Sequence, residues 1–398
     1  MTQTSSHNER AHAKLSASGA ERWMACTGSP QFEEGFEDEE TDFAKEGTIA
    51  HELSEILISR ELGLIDKRKA NSLLKAKQKS EYYNADMLGY VEQYVDFVME
   101  RVNAARAITH DAVVLIEQRL DFSEWVPDGF GTGDILIIAE SFLDIIDLKF
   151  GKGVKKYAPE NPQMKLYGLG ALNMYDAIYD IKNVRMTIVQ PRLDHISTDE
   201  LTAFDLYDWA ESTVRPIAEE AYNDGGTFKP GDHCKFCKGR AVCRARADDC
   251  LETVDTYQGA ELSLEEIGLL LAKVDSIGKW CKEVADHAYK QATLHGKKIP
   301  GYKLVAGRSN RKFTNIGTVK EILLGEAYKS EQIVKPEELI SLTDIEALVG
   351  KKKFESLLGG CITKAPGKPA LVPESDKRDE LNSAKAAKDD FDDDFIDN

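Results

Sequence analysis

Two stretches, Gly131-Thr132-Gly133-Asp134-Ile135-Leu136-Ile137-Ile138-Ala139 and Phe142-Leu143-Asp144-Ile145-Ile146-Asp147-Leu148-Lys149-Phe150, decide how this chain reads. Both are β-branched and apolar, and only Glu140 and Ser141 lie between them, which predicts two neighbouring strands, the first over 134–139 and the second over 142–150. Working outward, AVVLIEQRL at 112–120 reads as a strand before them and NVRMTIVQ at 183–190 as one after. Around these the period changes to that of a helix. Ile49, Leu53, Ile56 and Leu57 mark one helix over 46–63, and Val91, Tyr94, Val95, Val98 and Val102 mark another over 90–107, with a charged middle between them. Helices are also predicted over 161–174, 200–222 and 262–293. The order helix, strands, helix, strand, helix predicts an α/β fold with a mixed sheet.

Length and composition limit the function classes. The 398 residues are 42% hydrophobic and 30% charged, which excludes collagen-like, mucin-like and wholly disordered chains. The first ten residues are polar, and Glu140, Asp144 and Asp147 break the greasiest run, so neither export nor a membrane span is expected and a cytoplasmic protein is. The predicted organisation is a flexible lead over 1–19, a main domain over 20–298, a small appendage over 299–365 and a disordered acidic tail over 366–398. Within the appendage 302–305 reads as a strand and 341–358 as a helix. Six of the last ten residues are aspartate. The net charge of -18 argues against a histone-like basic surface, yet it permits a local basic groove around acidic ligands.

The strands carry candidate chemistry. The hairpin would present Asp134 beside Asp147 and Lys149 at a sheet edge, and the period of two puts Asp147 and Lys149 on one face. Carboxylates of this kind hold divalent ions for phosphodiester hydrolysis, and an ammonium can orient water or stabilise the pentavalent phosphate. His51, on the first helix, offers an imidazole suited to a transition-type ion. Gln163 and Tyr167, spaced i and i+4, share a helix face where they can brace the site or touch DNA.

Taken in order, Gly47-x-x-x-His51, Gly133-Asp134, Asp147-x-Lys149 and Gln163-x-x-x-Tyr167 resemble the motifs of the PD-(D/E)XK nuclease superfamily, in its RecB-like branch. The match spans roughly Trp23 to Arg246. The resemblance implies a restriction-endonuclease-like mixed sheet flanked by helices and a DNase dependent on Mg2+ or Mn2+. His51, Asp134, Asp147 and the backbone carbonyl of Leu148 would be metal ligands, Lys149 the catalytic lysine, and Glu117 an additional acid. Asp147 stands where some branches use Glu.

Cysteines form the second constellation. Cys234-x-x-Cys237 and Cys243 follow the core, and Cys26 precedes it. Four thiolates so placed would tie the two ends of the domain around one soft centre. The same distribution occurs in the iron-sulfur subset of RecB-like nucleases, including the AddB type and the nuclease of CRISPR adaptation, and the likeness implies a 4Fe-4S cluster on Cys26, Cys234, Cys237 and Cys243. Structural Zn2+ on the same thiolates, or on three of them with His233, is the alternative. Cys250, Cys281 and Cys361 lack ligand spacing.

Lys149, Lys152, Lys155 and Lys156, together with Lys235, Lys238, Arg240, Arg244 and Arg246, would line a path for DNA, either single-stranded or a double-stranded end. The acidic terminus, with Phe391, Phe395 and Ile396, resembles in composition the tails of single-strand-binding proteins. The expected function is that of an exonuclease in phage recombination or replication, with a phage single-strand-binding or annealing protein as a further partner; the phage setting rests on overall likeness to phage proteins of this layout. The alternatives are a catalytically silent DNA-binding recombination accessory with the same fold and cluster, and a zinc-stapled scaffold that docks replication proteins through its tail.

Overall fold

Strand β2 (Phe130–Ala139) turns back into β3 (Phe142–Leu148) as an antiparallel hairpin in which Ile135 faces Ile146 and Ala139 faces Phe142. The computed structural model describes residues 13–37, 41–223, 225–255 and 261–305, with a few isolated positions beyond. The chain divides into two units, Met1–Val305 and Ala306–Asn398, and all the elements named below belong to the first. β1 (Val113–Asp121) pairs antiparallel with β2. β4 (Asn183–Gln190) runs parallel to β3, and β5 (His195–Thr202) pairs antiparallel with β4, giving a five-stranded mixed sheet in the order β1-β2-β3-β4-β5. The hairpin is therefore interior to the sheet. Its acidic residues lie at the open end of central strands, not at the lateral edge expected, because β1 and β4 cover both sides.

Helices coat both faces. One face packs its Ile135, Ile137, Ile146 and Leu148 against Leu53 and Leu57 of α3 (Asp42–Glu61) and against Val91, Tyr94 and Val98 of α5 (Met87–Ile108). The other packs Leu136, Ile138, Leu143 and Ile145 against Leu166 and Leu169 of α6 (Pro162–Tyr179). Each such aliphatic side chain contributes roughly 1.5–3 kcal/mol on burial, which makes the alternation along the strands the main determinant of the layering. Local signals set the helix starts. Thr41 accepts from the Ala44 N–H at the start of α3, and Asn161 accepts from Gln163 and Met164 at the start of α6, where Pro162 takes the first turn.

Several expectations are corrected. Residues 13–19 are not a flexible lead: Leu15 and Ala17 lie in the core, and Trp23 Nε1 donates to Ser16 O at 3.0 Å, just ahead of α1 (Ala20–Ala25) and α2 (Ser29–Glu33). The charged middle holds α4 (Lys67–Lys77), started by Asp66. The helix expected from residue 200 begins at α7 (Ala203–Trp209) and runs through a π-helical turn into α8 (Arg215–Tyr222), because β5 occupies residues up to Thr202. Past the cysteines come α9 (Arg244–Asp255) and α10 (Leu264–Thr293). Residues 302–305 form no strand. Residues 1–12, the predicted helix at 341–358 bar isolated positions, and the tail over 366–398 lie outside the described residues.

α6 approaches the sheet closely through Gly170, where a Cβ would sit 2.8 Å from Leu120 Cβ and 3.2 Å from the Leu120 carbonyl carbon. Gly170→Ala is therefore expected to cost about 2 kcal/mol, read as a lower urea midpoint. On α3, by contrast, a Cβ at Gly47 meets nothing within 4 Å, and Gly47→Ala should gain about 0.5–1 kcal/mol from helix propensity. Equal midpoints for the two variants would remove the close α6 contact from the account of this face.

Candidate active site and cysteine centre

Asp134 organises the open end of the hairpin. Its Oδ2 accepts the Leu148 N–H at 2.7 Å, and its Oδ1 lies 3.3 Å from His51 Nδ1 on α3. Leu148, whose carbonyl is the implied ligand, thus contributes its N–H to orienting this carboxylate. Ligand atoms of His51, Glu117 and Asp134 all lie within 4.8 Å of one another. Glu117 reaches them from β1 with φ of 49°, a left-handed conformation rare for a non-glycine inside a strand. The backbone departs from ideal pleating at the residue that completes the group.

Asp147, of the expected ligand set of His51, Asp134 and Asp147, stands beside that group of three. Its carboxylate is held by Lys149, whose Nζ hydrogen-bonds Oδ1 at 3.2 Å and sits 3.0 Å from Oδ2 in ion contact. Oδ2 is buried and has no hydrogen bond of its own. The pair shares a face, as the period of two predicts. Beside it, Gln163 Nε2 donates to the Tyr167 hydroxyl at 3.0 Å, so these two residues brace each other. Tyr167 fits because Gly131 is bare: a Cβ there would meet the ring at 2.8 Å.

Burial and neighbouring carboxylates set the electrostatics. Burial opposes the charged form of His51, but the Asp134 and Asp147 carboxylates outweigh it and lift the imidazole to about 9. Burial, then Asp134, pushes Glu117 up to about 7. Asp147 is raised by burial in spite of Lys149. Lys149 itself, although burial disfavours its charge, is held above the ordinary lysine value by Asp147 and Asp134, and so remains an ammonium. The cleft over the group is lined by Ala44, Gly47, Thr48, Glu52 and Glu55 as well as His51 and Glu117. Glu52 and Glu55 were not singled out from sequence, although the i, i+4 spacing of His51 and Glu55 was there to find.

A second hollow, lined by Cys26, Cys234, Cys237 and Cys243, also includes Arg22, His233, Arg240 and Arg246. Backbone amides point at the sulfurs: Lys229 N lies 3.5 Å from Cys26 Sγ and Gly231 N 3.4 Å from Cys234 Sγ, while Gly239 donates to Cys237. Burial pushes the Cys237 thiol up to about 12. His233 Nε2 is within 2.9 Å of Lys229 O. Arg240 and Arg246, expected along a DNA path, both pair with Glu283 of α10, at 3.2 Å and 2.6 Å. Cys250 is buried and Cys281 exposed; Cys361 lies outside the described residues.

The fold and site define a mixed α/β protein with a histidine-carboxylate cluster at the end of its central strands. The chain belongs to the family described as "Protein of unknown function (DUF2800)", whose profile matches residues 12–379. Among solved structures, "Crystal structure of SSO0001" aligns at 15% identity over 50% of this chain and 85% of that one, with a TM-score of 0.22. A likeness that slight carries no argument. Among the described residues no helix is long and apolar enough to cross a membrane.

Proposed function

We propose that this protein is a divalent-metal-dependent deoxyribonuclease of the PD-(D/E)XK type, with a restriction-endonuclease-like core whose ends are stapled by a 4Fe-4S cluster. The observation that carries the reading is the meeting of His51, Glu117 and Asp134 within 4.8 Å, beside buried Asp147 and its ion pair with Lys149.

The residues fit a hard divalent ion. Two carboxylates and an imidazole converge, the repulsion between the carboxylates would be relieved by a cation, and Asp147 Oδ2 is a buried oxygen without a hydrogen bond. Mg2+ or Mn2+ bound there would supply Lewis-acid stabilisation of phosphate charge and a more acidic water. The chain's own residues do the rest. Asp134, fixed by the Leu148 N–H, and Glu117 and His51 set the position of the ion. Lys149, held as an ammonium, donates to a phosphoryl oxygen or orients the attacking water and does not act as a base. Gln163 and Tyr167 wall the site.

Four thiolates with backbone amides aimed at their sulfurs suit a cluster, because hydrogen bonds to the sulfurs tune one. Structural Zn2+ on the same thiolates is the alternative.

The direct test is to incubate purified protein with end-labelled linear and closed circular DNA, with Mg2+, Mn2+ or EDTA. Metal-dependent release of nucleotides is expected, and no cleavage under any cation would defeat the reading. Ion binding has its own readout. Saturating Mn2+ at about 100 times its Kd should stabilise the fold by about 2.7 kcal/mol and raise the melting midpoint several degrees, and Glu117→Gln should lose most of that shift.

A further inference from the structure

The loop that leaves β3 and the turn that carries Cys234 and Cys237 are distant in sequence, yet they present neighbouring rings. Tyr157 is 58% exposed and Phe236 is 52% exposed. Lys156 Nζ lies 5.6 Å from the Phe236 ring centre and Lys235 Nζ 4.9 Å, while the Tyr157 ring stands edge-on to His195 at 5.0 Å. Both backbones are anchored. Buried Gln190 accepts from Lys156 N at 2.6 Å and donates to Val154 O at 3.1 Å, Ala158 N donates to Ser197 Oγ, and Arg22 donates to Phe236 O at 3.2 Å. Exposed Lys152 and Lys155 complete the loop. The acid in the patch, Glu21, pairs with Lys156 at 2.9 Å and is held below the usual carboxylate range chiefly by that contact. In a chain of net charge -18 this is a local excess of amines around two aromatic faces.

We propose that Tyr157 and Phe236 form a stacking platform for the unpaired bases of a single DNA strand, with Lys152, Lys155, Lys156 and Lys235 on its phosphates. Exposed rings on anchored backbones accept flat, apolar faces at little ordering cost, and amines beside them select a polyanion. Only an unpaired base offers its face to a ring, so the platform distinguishes single strands from duplex. Stacking tolerates any base. This inference rests on the nuclease reading for its role and on the rings alone for binding.

The test uses the full chain without added divalent ion and a fluorescent 20-mer of thymidylate against a blunt duplex of equal length. Wild type should bind the single strand at least about tenfold more tightly. Phe236→Leu and Tyr157→Leu should each weaken that binding about tenfold while leaving duplex affinity within about twofold, and Phe236→Trp should restore it. Tyr157 is on a different loop from the cysteines and does not line their hollow, so its variant reports even if Phe236→Leu disturbs that turn. Equal affinity for the two DNAs, or wild-type single-strand binding by the Tyr157→Leu variant, overturns the proposal. A protein that binds through the rings but cleaves nothing keeps the platform and defeats the nuclease. A nuclease indifferent to the loss of both rings does the reverse.

Discussion

Asp134→Asn is expected to lower metal-dependent nucleotide release by about 10³-fold or more while leaving the melting midpoint without added metal within a few degrees of wild type. The substitution is nearly isosteric, and the amide oxygen still accepts the Leu148 N–H now held at 2.7 Å, so the hairpin end keeps its geometry. What is lost is the negative charge that, with Glu117 and His51, would hold the proposed ion. Lys149→Met should be equally inactive for a different reason and less stable. It leaves buried Asp147 without its counter-charge, a loss on the order of 3–5 kcal/mol if the carboxyl stays ionised and less if it takes a proton. Adding Asp147→Asn to Lys149→Met removes both charges and should recover much of the stability with none of the activity. If Asp134→Asn releases nucleotides at the wild-type rate, the carboxylate cluster is not where the chemistry occurs.

Much of this site was legible because strand periodicity maps directly to space. Asp147 and Lys149, two apart, had to share a face, and a short turn had to bring Asp134 alongside. Glu117 was harder to place. No spacing rule announces that its φ is 49°, and that local departure helps complete the ligand group, while Asp147 is captured by the lysine next to it. β5 was missed because its residues, His195–Thr202, alternate half-buried with exposed and are nearly all polar, as suits an edge strand, so the hydrophobic signal is faint. α4 was missed for the converse reason: only Ala70 and Leu74 are buried in a run of lysines, and the cap at Asp66 was the sole clear sign. The amino-terminal segment shows the limit of composition as a guide. Serine and alanine read as a lead, but Leu15 and Trp23 had partners among α6 and the sheet that no local pattern reveals.

The largest effect on stability is expected at the cysteines. Cys26 sits in a segment that meets the turn after residue 226 across some 200 residues of chain, through Thr27, Glu220 and Thr227 as well as the sulfur hollow. A covalent link closing a loop of that length restricts the unfolded chain by on the order of 5 kcal/mol in the chain-entropy account. Anaerobically purified wild type should be brown, with a broad band near roughly 400 nm from thiolate-to-iron charge transfer. Cys26→Ser removes the one implied ligand that precedes the core, and it should bleach that band, lower bound iron and reduce the unfolding free energy by several kcal/mol, read as a lower denaturant midpoint. Cys281→Ser, outside the hollow, should change none of these. Because the α1–α2 segment also packs by Trp23 and by Arg22 with Glu33, the variant should remain folded at low temperature, so loss of metal can be read apart from loss of structure. Colourless protein with one zinc per chain would replace the cluster with a zinc staple. Metal-free wild type as stable as Cys26→Ser would remove the staple, and the closure would then rest on the hydrogen bonds and packing of the α1–α2 segment.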